Sequence, residues 1–289
     1  MNADRVSLFC DTALAERIER VEARLIADSS DAARYRRGDR AGFVIPVDGG
    51  VASFAEDDSP FNKVAGLGFG GVPSVAAVEE IERAFAAHGA PVQIELAHLA
   101  DPAIAVMLTG QGYRLTSFEN VLGLALEGTH DRITPPGVQI RRSHDDELEP
   151  WLDVVADGVA HPDTHGLPSH EEFPREVVVN AMRDFTAAGV LRYLALHDGV
   201  IAGGASFRMT EGVAQLTGAA TAPAHRRHGV QTALLSARLA DATAAGCDIA
   251  VVTTQPGSTS HHNAQRRGFD LLYTRAILVK QPPLRSART

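Results

Sequence analysis

Cysteine is nearly absent. Cys10 and Cys247 are the only two in 289 residues, so no disulfide framework can be drawn, and a reducing compartment is the simple expectation. Cys247 precedes an apolar run and reads as a small buried hydrophobe. Positive charge is also in deficit. Against 36 Asp and Glu stand 27 Lys and Arg, and the net charge of −9 argues against nucleic acid as a partner. No apolar run approaches a membrane span, and residues 1–11 have no basic stretch followed by a long apolar one. The expectation is a cytoplasmic protein with no membrane partner. No G-x-x-x-x-G-K-S/T loop occurs, which excludes a P-loop nucleotide hydrolase, and no G-x-S-x-G elbow, which argues against serine-hydrolase chemistry.

What the chain does contain is a basic turn between a strand and a helix. Residues 213–220 are apolar, small and β-permissive; residues 221–235 then read T-A-P-A-H-R-R-H-G-V-Q-T-A-L-L. Val230, Ala233, Leu234 and Ala237 recur at helical spacing, while Pro223 cannot donate to a ladder and ends the strand's pairing. A helix start leaves backbone N–H groups unpaired and carries partial positive charge, and successive N–H groups in a turn make a concave anion nest. Gly229 permits close backbone approach, and Arg226, Arg227 and His228 add charge, so the turn is suited to a small anionic ligand. An ordinary surface turn with basic residues is the competing reading.

The order Arg226-x-x-Gly229-x-Gln231 resembles the pyrophosphate signature of the GNAT acetyltransferase superfamily, with Gln231 where the pattern has a small residue. The resemblance implies acetyl-CoA as acyl donor. Its diphosphate would lie against Arg226, Arg227, His228, Gly229, Val230, Gln231 and Thr232. Its pantetheine arm would lie along the backbone of Ala219, Ala220 and Thr221. The reaction implied is direct acyl transfer to an amine of a small molecule or peptide, with orientation supplying much of the rate.

Along the chain, residues 11–27 read as an amphipathic helix, followed by short strands at 41–47, 51–54 and 63–69 and a helix capped by Ser74. A strand at 92–96, a helix capped by Asp101 and a long strand at 113–126 complete the first half. Residues 129–137 form a Pro- and Gly-bearing linker, after which the chain starts again, with strands at 138–142, 191–196, 200–209, 248–253 and 269–279. Helix–strand–helix–strand endings at 88–115 and 245–271 have matched glycine spacing, which suggests duplication. The expectation is an α/β chain of two tandem GNAT-like domains, each a mixed sheet flanked by helices. The first, 1–128, is degenerate, because 66–73 lacks any arginine; the second, 138–280, binds acetyl-CoA; 281–289 is a tail. A homodimer is left open.

The catalytic acid is harder to place. Many relatives carry a Tyr four residues before the final Gly-Phe, a position held here by Ala264. Ser258, Ser260, Asn263 and Tyr273 are the candidate substitutes, with Ser258 and Tyr273 retained; packing is the competing role for Tyr273. The acceptor is expected near 161–172, where His161, Asp163 and His165 cluster with other polar residues in a Pro-broken loop. That loop lacks helical metal-ligand spacing, so no metal is expected, and His261-His262 read as the exposed face of a short helix. Two rivals remain: a non-catalytic acyl-CoA-binding sensor or scaffold, and a transferase using a longer acyl-CoA.

Overall fold

The computed structural model describes residues 7–38, 41–161 and 173–283. In chain order the elements are α1 (Thr12–Arg37), β1 (Phe43–Val47), β2 (Gly50–Phe54), β3 (Lys63–Ala65), α2 (Val75–Ala87), β4 (Val92–Ala97), α3 (Pro102–Gly110) and β5 (Arg114–Ala125). They continue with β6 (Val138–Arg142), α4 (Leu148–Ala160), α5 (Arg175–Ala187), β7 (Leu191–His197), β8 (Val200–Thr210), β9 (Val213–Thr221), α6 (Val230–Ala244), β10 (Ile249–Thr254), α7 (Thr259–Arg266) and β11 (Asp270–Lys280). No described helix is long and apolar enough to cross a membrane.

Local chemistry sets most of these bounds. Asp11 caps α1 by accepting from Leu14 N at 2.8 Å, and Gly38, left-handed at φ 68°, stops it. The helix runs ten residues beyond the expected 27 because its inner face continues as Ser29, Ser30 and Ala33. These are buried small residues that an apolar periodicity does not register. Conversely β3 ends at Ala65 rather than 69, since Gly66 (φ 78°) and Gly68 (φ 102°) leave strand geometry.

Compactness divides the chain into two units that are not consecutive: Cys10–Asn120 with Tyr273–Thr289, and Met1–Phe9 with Val121–Leu272. The division falls inside β5 and β11 rather than in 129–137, because the outer half of β11 pairs with β4, from Ala97↔Arg275 to Val92↔Lys280. The amino-terminal unit's core joins Phe54, Phe85, Ile94, Ile104, Leu108 and Leu278.

Beside that core lies a buried polar network. Arg275 Nε and Tyr273 Oη each donate to Glu19 Oε1 at 2.7 Å, and all three residues are 1% exposed. Arg275 also faces Glu95 at 3.6 Å, and Glu95 pairs with Lys63. Burial pushes the Tyr273 phenol well above its usual range, with Glu19 adding to it. Burial also raises the Glu22 carboxyl, despite the opposing charge of Arg275.

In the carboxy-terminal unit, β6–β7–β8–β9 form an antiparallel run and β10 joins β9 in parallel. Alternation along β7 sends Tyr193 and Ala195 into one core with α6 and α7, and Leu194 into another with Trp151 and Val155 of α4. The linker residues are tied down along α6: Ile133 N donates to Ser236 Oγ at 2.9 Å and Arg132 pairs with Asp241.

Candidate functional site

The site begins where β9 and β10 part. Opposite β8, Gly218 stands against Ser206 and Gln215 against Arg208, so three steps on β9 match two on β8. This is a bulge of one extra residue around Leu216 and Thr217. The ladder between β9 and β10 runs only from Val213↔Ile249 to Gln215↔Val251, up to that bulge. Beyond it both strands continue, and β9 is exposed at Gly218 and half-buried at its neighbours Thr217 and Ala219. An accessible stretch in the middle of a sheet is an opening. Ala219, Ala220 and Thr221, expected to line the donor, stand on that stretch, paired with β8 on their other side. The buried hydroxyls of Thr221 and Thr254 have no partner among the described residues.

At the end of β9 the chain makes a 3-10 turn, Pro223–His225, and enters α6. Arg227 (φ 66°) and Gly229 (φ 77°) are both left-handed. Gly229 is the N-cap and offers no side chain; the helix's first internal bond runs from Ala233 N to Gly229 O at 3.0 Å. The amides of Val230, Gln231 and Thr232 are therefore without partners inside the helix, a ready anion site. A Cβ on Gly229 would stand 2.7 Å from Pro135 Cγ, so both φ and packing demand glycine there.

The two arginines of the turn diverge. Arg227 is exposed, whereas Arg226 donates to the carbonyl of His161 at the end of α4. The imidazole of His228 lies 4.4 Å from that of His197, whose Nδ1 is 3.2 Å from His225 Nδ1. Thr232 Oγ1 accepts from Arg267, leaving its own proton to donate. Behind the bulge, Arg238 of α6 is buried, and desolvation lowers its pKa to about 10.

Beside Thr232 opens a cavity of about 380 Å³. Leu124, Ile133, Leu235 and Leu239 give it apolar walls, and Arg266, Arg267 and His130 give it polar ones. His130 Nε2 is buried there with no partner among the described residues.

Each of the two expected catalytic residues is engaged in a structural hydrogen bond. Ser258 caps α7, accepting from His261 N at 3.1 Å. Tyr273 corrects the reading of it as an acid: it belongs to the other compact unit, where its hydroxyl is spent on Glu19. The reason is its place on β11, at the start of the half that pairs with β4. Ala264, at the position of the relatives' phenol, is buried in the core.

A different side chain on that helix face was missed. His261 lies three residues before Ala264, one turn nearer the helix start; its Nδ1 accepts from Gly257 N at 3.2 Å and its buried Nε2 has no partner among the described residues. Only the tertiary setting marks it, since the sequence shows two adjacent histidines on a short polar helix. On the acceptor side, His161 is exposed at the end of α4 and contacts Asp157 at 3.2 Å. Asp163 and His165 lie outside the described residues.

Residues 160–269 match the family model described as acetyltransferase (GNAT) family. That stretch of the chain is similar to the GNAT acetyltransferase family. In fold the whole chain is similar to a GCN5-related N-acetyltransferase from Kribbella flavida, at 20% identity and TM-score 0.61 over 88% of this chain and 95% of that one. It is also similar to a tandem GNAT protein from the clavulanic acid biosynthesis pathway, at 14% identity and TM-score 0.60 over 97% and 99%. A third likeness is to a GCN5-related N-acetyltransferase from Sphaerobacter thermophilus, at 15% identity and TM-score 0.55 over 92% and 93%. No curated protein matches the chain. The fold is thus the tandem GNAT arrangement expected from the residues, and the matched GNAT domain contains the β9 opening and the α6 turn.

Proposed function

We propose that this protein is an acetyl-CoA-dependent N-acetyltransferase that acts on an amine of a small molecule or peptide in a ternary complex. The observation that carries this is the opening between β9 and β10, which ends at the uncapped start of α6. The diphosphate would take the amides of Val230, Gln231 and Thr232 and the charge of Arg227; the pantetheine amides would take the free edge of β9. The cavity beside Thr232 suits the nucleotide end, with leucines against the purine and Arg266 and Arg267 toward the 3′-phosphate. In the reaction a neutral amine attacks the thioester carbonyl, the C–S bond breaks, and the CoA thiolate leaves with a proton. The proton shed by the amine neutralises the departing thiolate, and we assign to the His261 Nε2–H the hydrogen bond that steadies the sulfur as it leaves.

Calorimetric titration with acetyl-CoA tests the reading. The expected result is one equivalent per chain, with Arg227→Ala raising Kd about tenfold or more and Gly229→Val abolishing binding. Absence of binding to the parent protein would overturn it. Two equivalents would show that the amino-terminal unit also binds. A second reading, a non-catalytic acyl-CoA-binding protein, draws on the buried Ala264 and on Tyr273's place in the other unit. Tight acetyl-CoA binding with no turnover across a broad amine panel would favour it.

A further inference from the structure

The β9 bulge needs something to hold it. A bulge disrupts the ladder locally and leaves carbonyls to be satisfied elsewhere, and an unbraced one can slide or anneal. Here the brace comes from α6. Arg238 Nη1 donates to Ser206 O at 2.9 Å and to Gly218 O at 3.1 Å, the residues of the last regular rung beyond the register shift. Its Nε donates to Leu234 O at 3.2 Å. The side chain is 3% exposed, and among the described residues it has no ion-pair partner. A buried cation is costly unless its hydrogen bonds are met, so a leucine or methionine would fill this space more cheaply. Across the same bulge Ser206 Oγ and Thr217 Oγ1 lie 2.8 Å apart, a second tie at the same point.

We infer that Arg238 is a positioning residue for acyl transfer: it fixes the β9 bulge and thereby sets where the acetyl carbonyl lies along the open strand edge. The inference rests on the donor-site reading above. α6 offers its first amides to the diphosphate, and eight residues after Val230 the same helix grips the strand on the far side of the bulge. One helix therefore holds both ends of the donor in a common frame. Without the guanidinium the diphosphate turn keeps its glycine and its amides, while the strand edge loses its register against them.

The test compares the parent protein with Arg238→Met and Arg238→Lys, using CoA and acetyl-CoA labelled with ¹³C at the acetyl carbonyl. In the parent the bound carbonyl resonance is expected to move away from its free position. Arg238→Met should return it toward the free value while CoA affinity stays within about threefold, and Arg238→Lys should restore part of the displacement. A merely structural role would not separate the carbonyl signal from CoA affinity. An unchanged carbonyl resonance in a folded Arg238→Met would overturn the inference alone. Failure of the parent to bind acetyl-CoA would overturn the donor-site reading and this inference with it. Should Arg238→Met not fold, Arg238→Gln, which can still donate to one carbonyl, carries the same comparison. If neither folds, Arg238 is a folding residue and the inference is wrong.

Discussion

Because the Gly257 amide is directed at Nδ1, the neutral imidazole of His261 carries its proton on Nε2. A single preorganised hydrogen-bond donor aimed at charge that develops in the transition state supplies about 10²–10³-fold in rate. His261→Gln should therefore lower kcat by about that factor on whichever amine an acceptor screen returns, with acetyl-CoA Kd unchanged; an unaltered kcat would remove His261 from the reaction. Tyr273→Phe should behave in the opposite way. It leaves Glu19 with only its Arg275 partner at Oε1, costing about 1–3 kcal/mol of stability and leaving kcat as it was. Glu22 carries a pH signature. Its folded-state pKa is raised, so its contribution to stability is full below the ordinary carboxylate range and is lost as pH rises through the folded value. Glu22→Gln should accordingly melt above the parent at neutral pH, with the difference vanishing in acid. Thermal scans at several pH values would check it.

At the scale of elements, the opening in the sheet makes a prediction of its own. β9 and β10 share rungs only from Val213 to Gln215, so the β9 amides that face β10 beyond the bulge should exchange fast in the free protein. Acetyl-CoA should protect them, as an added strand would; exchange unchanged at saturating acetyl-CoA would place the pantetheine elsewhere. Most element bounds were legible because caps and periodicity are local chemistry. Asp11, Ser74 and Asp101 cap helices as their side chains suggest, each accepting from a first-turn amide. The glycines of the repeated endings are likewise matched in conformation, Gly89 with Gly246 and Gly112 with Gly268, all at positive φ. Local chemistry also explains the misreading of α1, whose last buried turns are serine and alanine.

Across the whole molecule, neither compact unit is made from one stretch of chain, and this too can be tested. Ending the chain after Leu272 removes the strand that pairs with β4, together with Arg275. Breaking a buried ion pair by removing one partner costs about 3–5 kcal/mol, and this truncation removes a six-residue ladder as well. The amino-terminal unit should then lose its cooperative transition in calorimetry and become open to proteolysis at β4. A retained transition would show that β11 is dispensable to it. The sequence by itself determined the order of helices and strands, the glycine at the head of α6 and the basic turn before it. Each of these depends on residues within a few positions of one another, where dihedral preference, capping and apolar period act. Only the tertiary structure decided that Tyr273 answers to Glu19, 254 residues away, that Arg238 reaches under a bulge, and that His261 keeps a buried nitrogen with no partner among the described residues. Those roles arise from strand pairing and burial between distant segments, which no local pattern of side chains encodes.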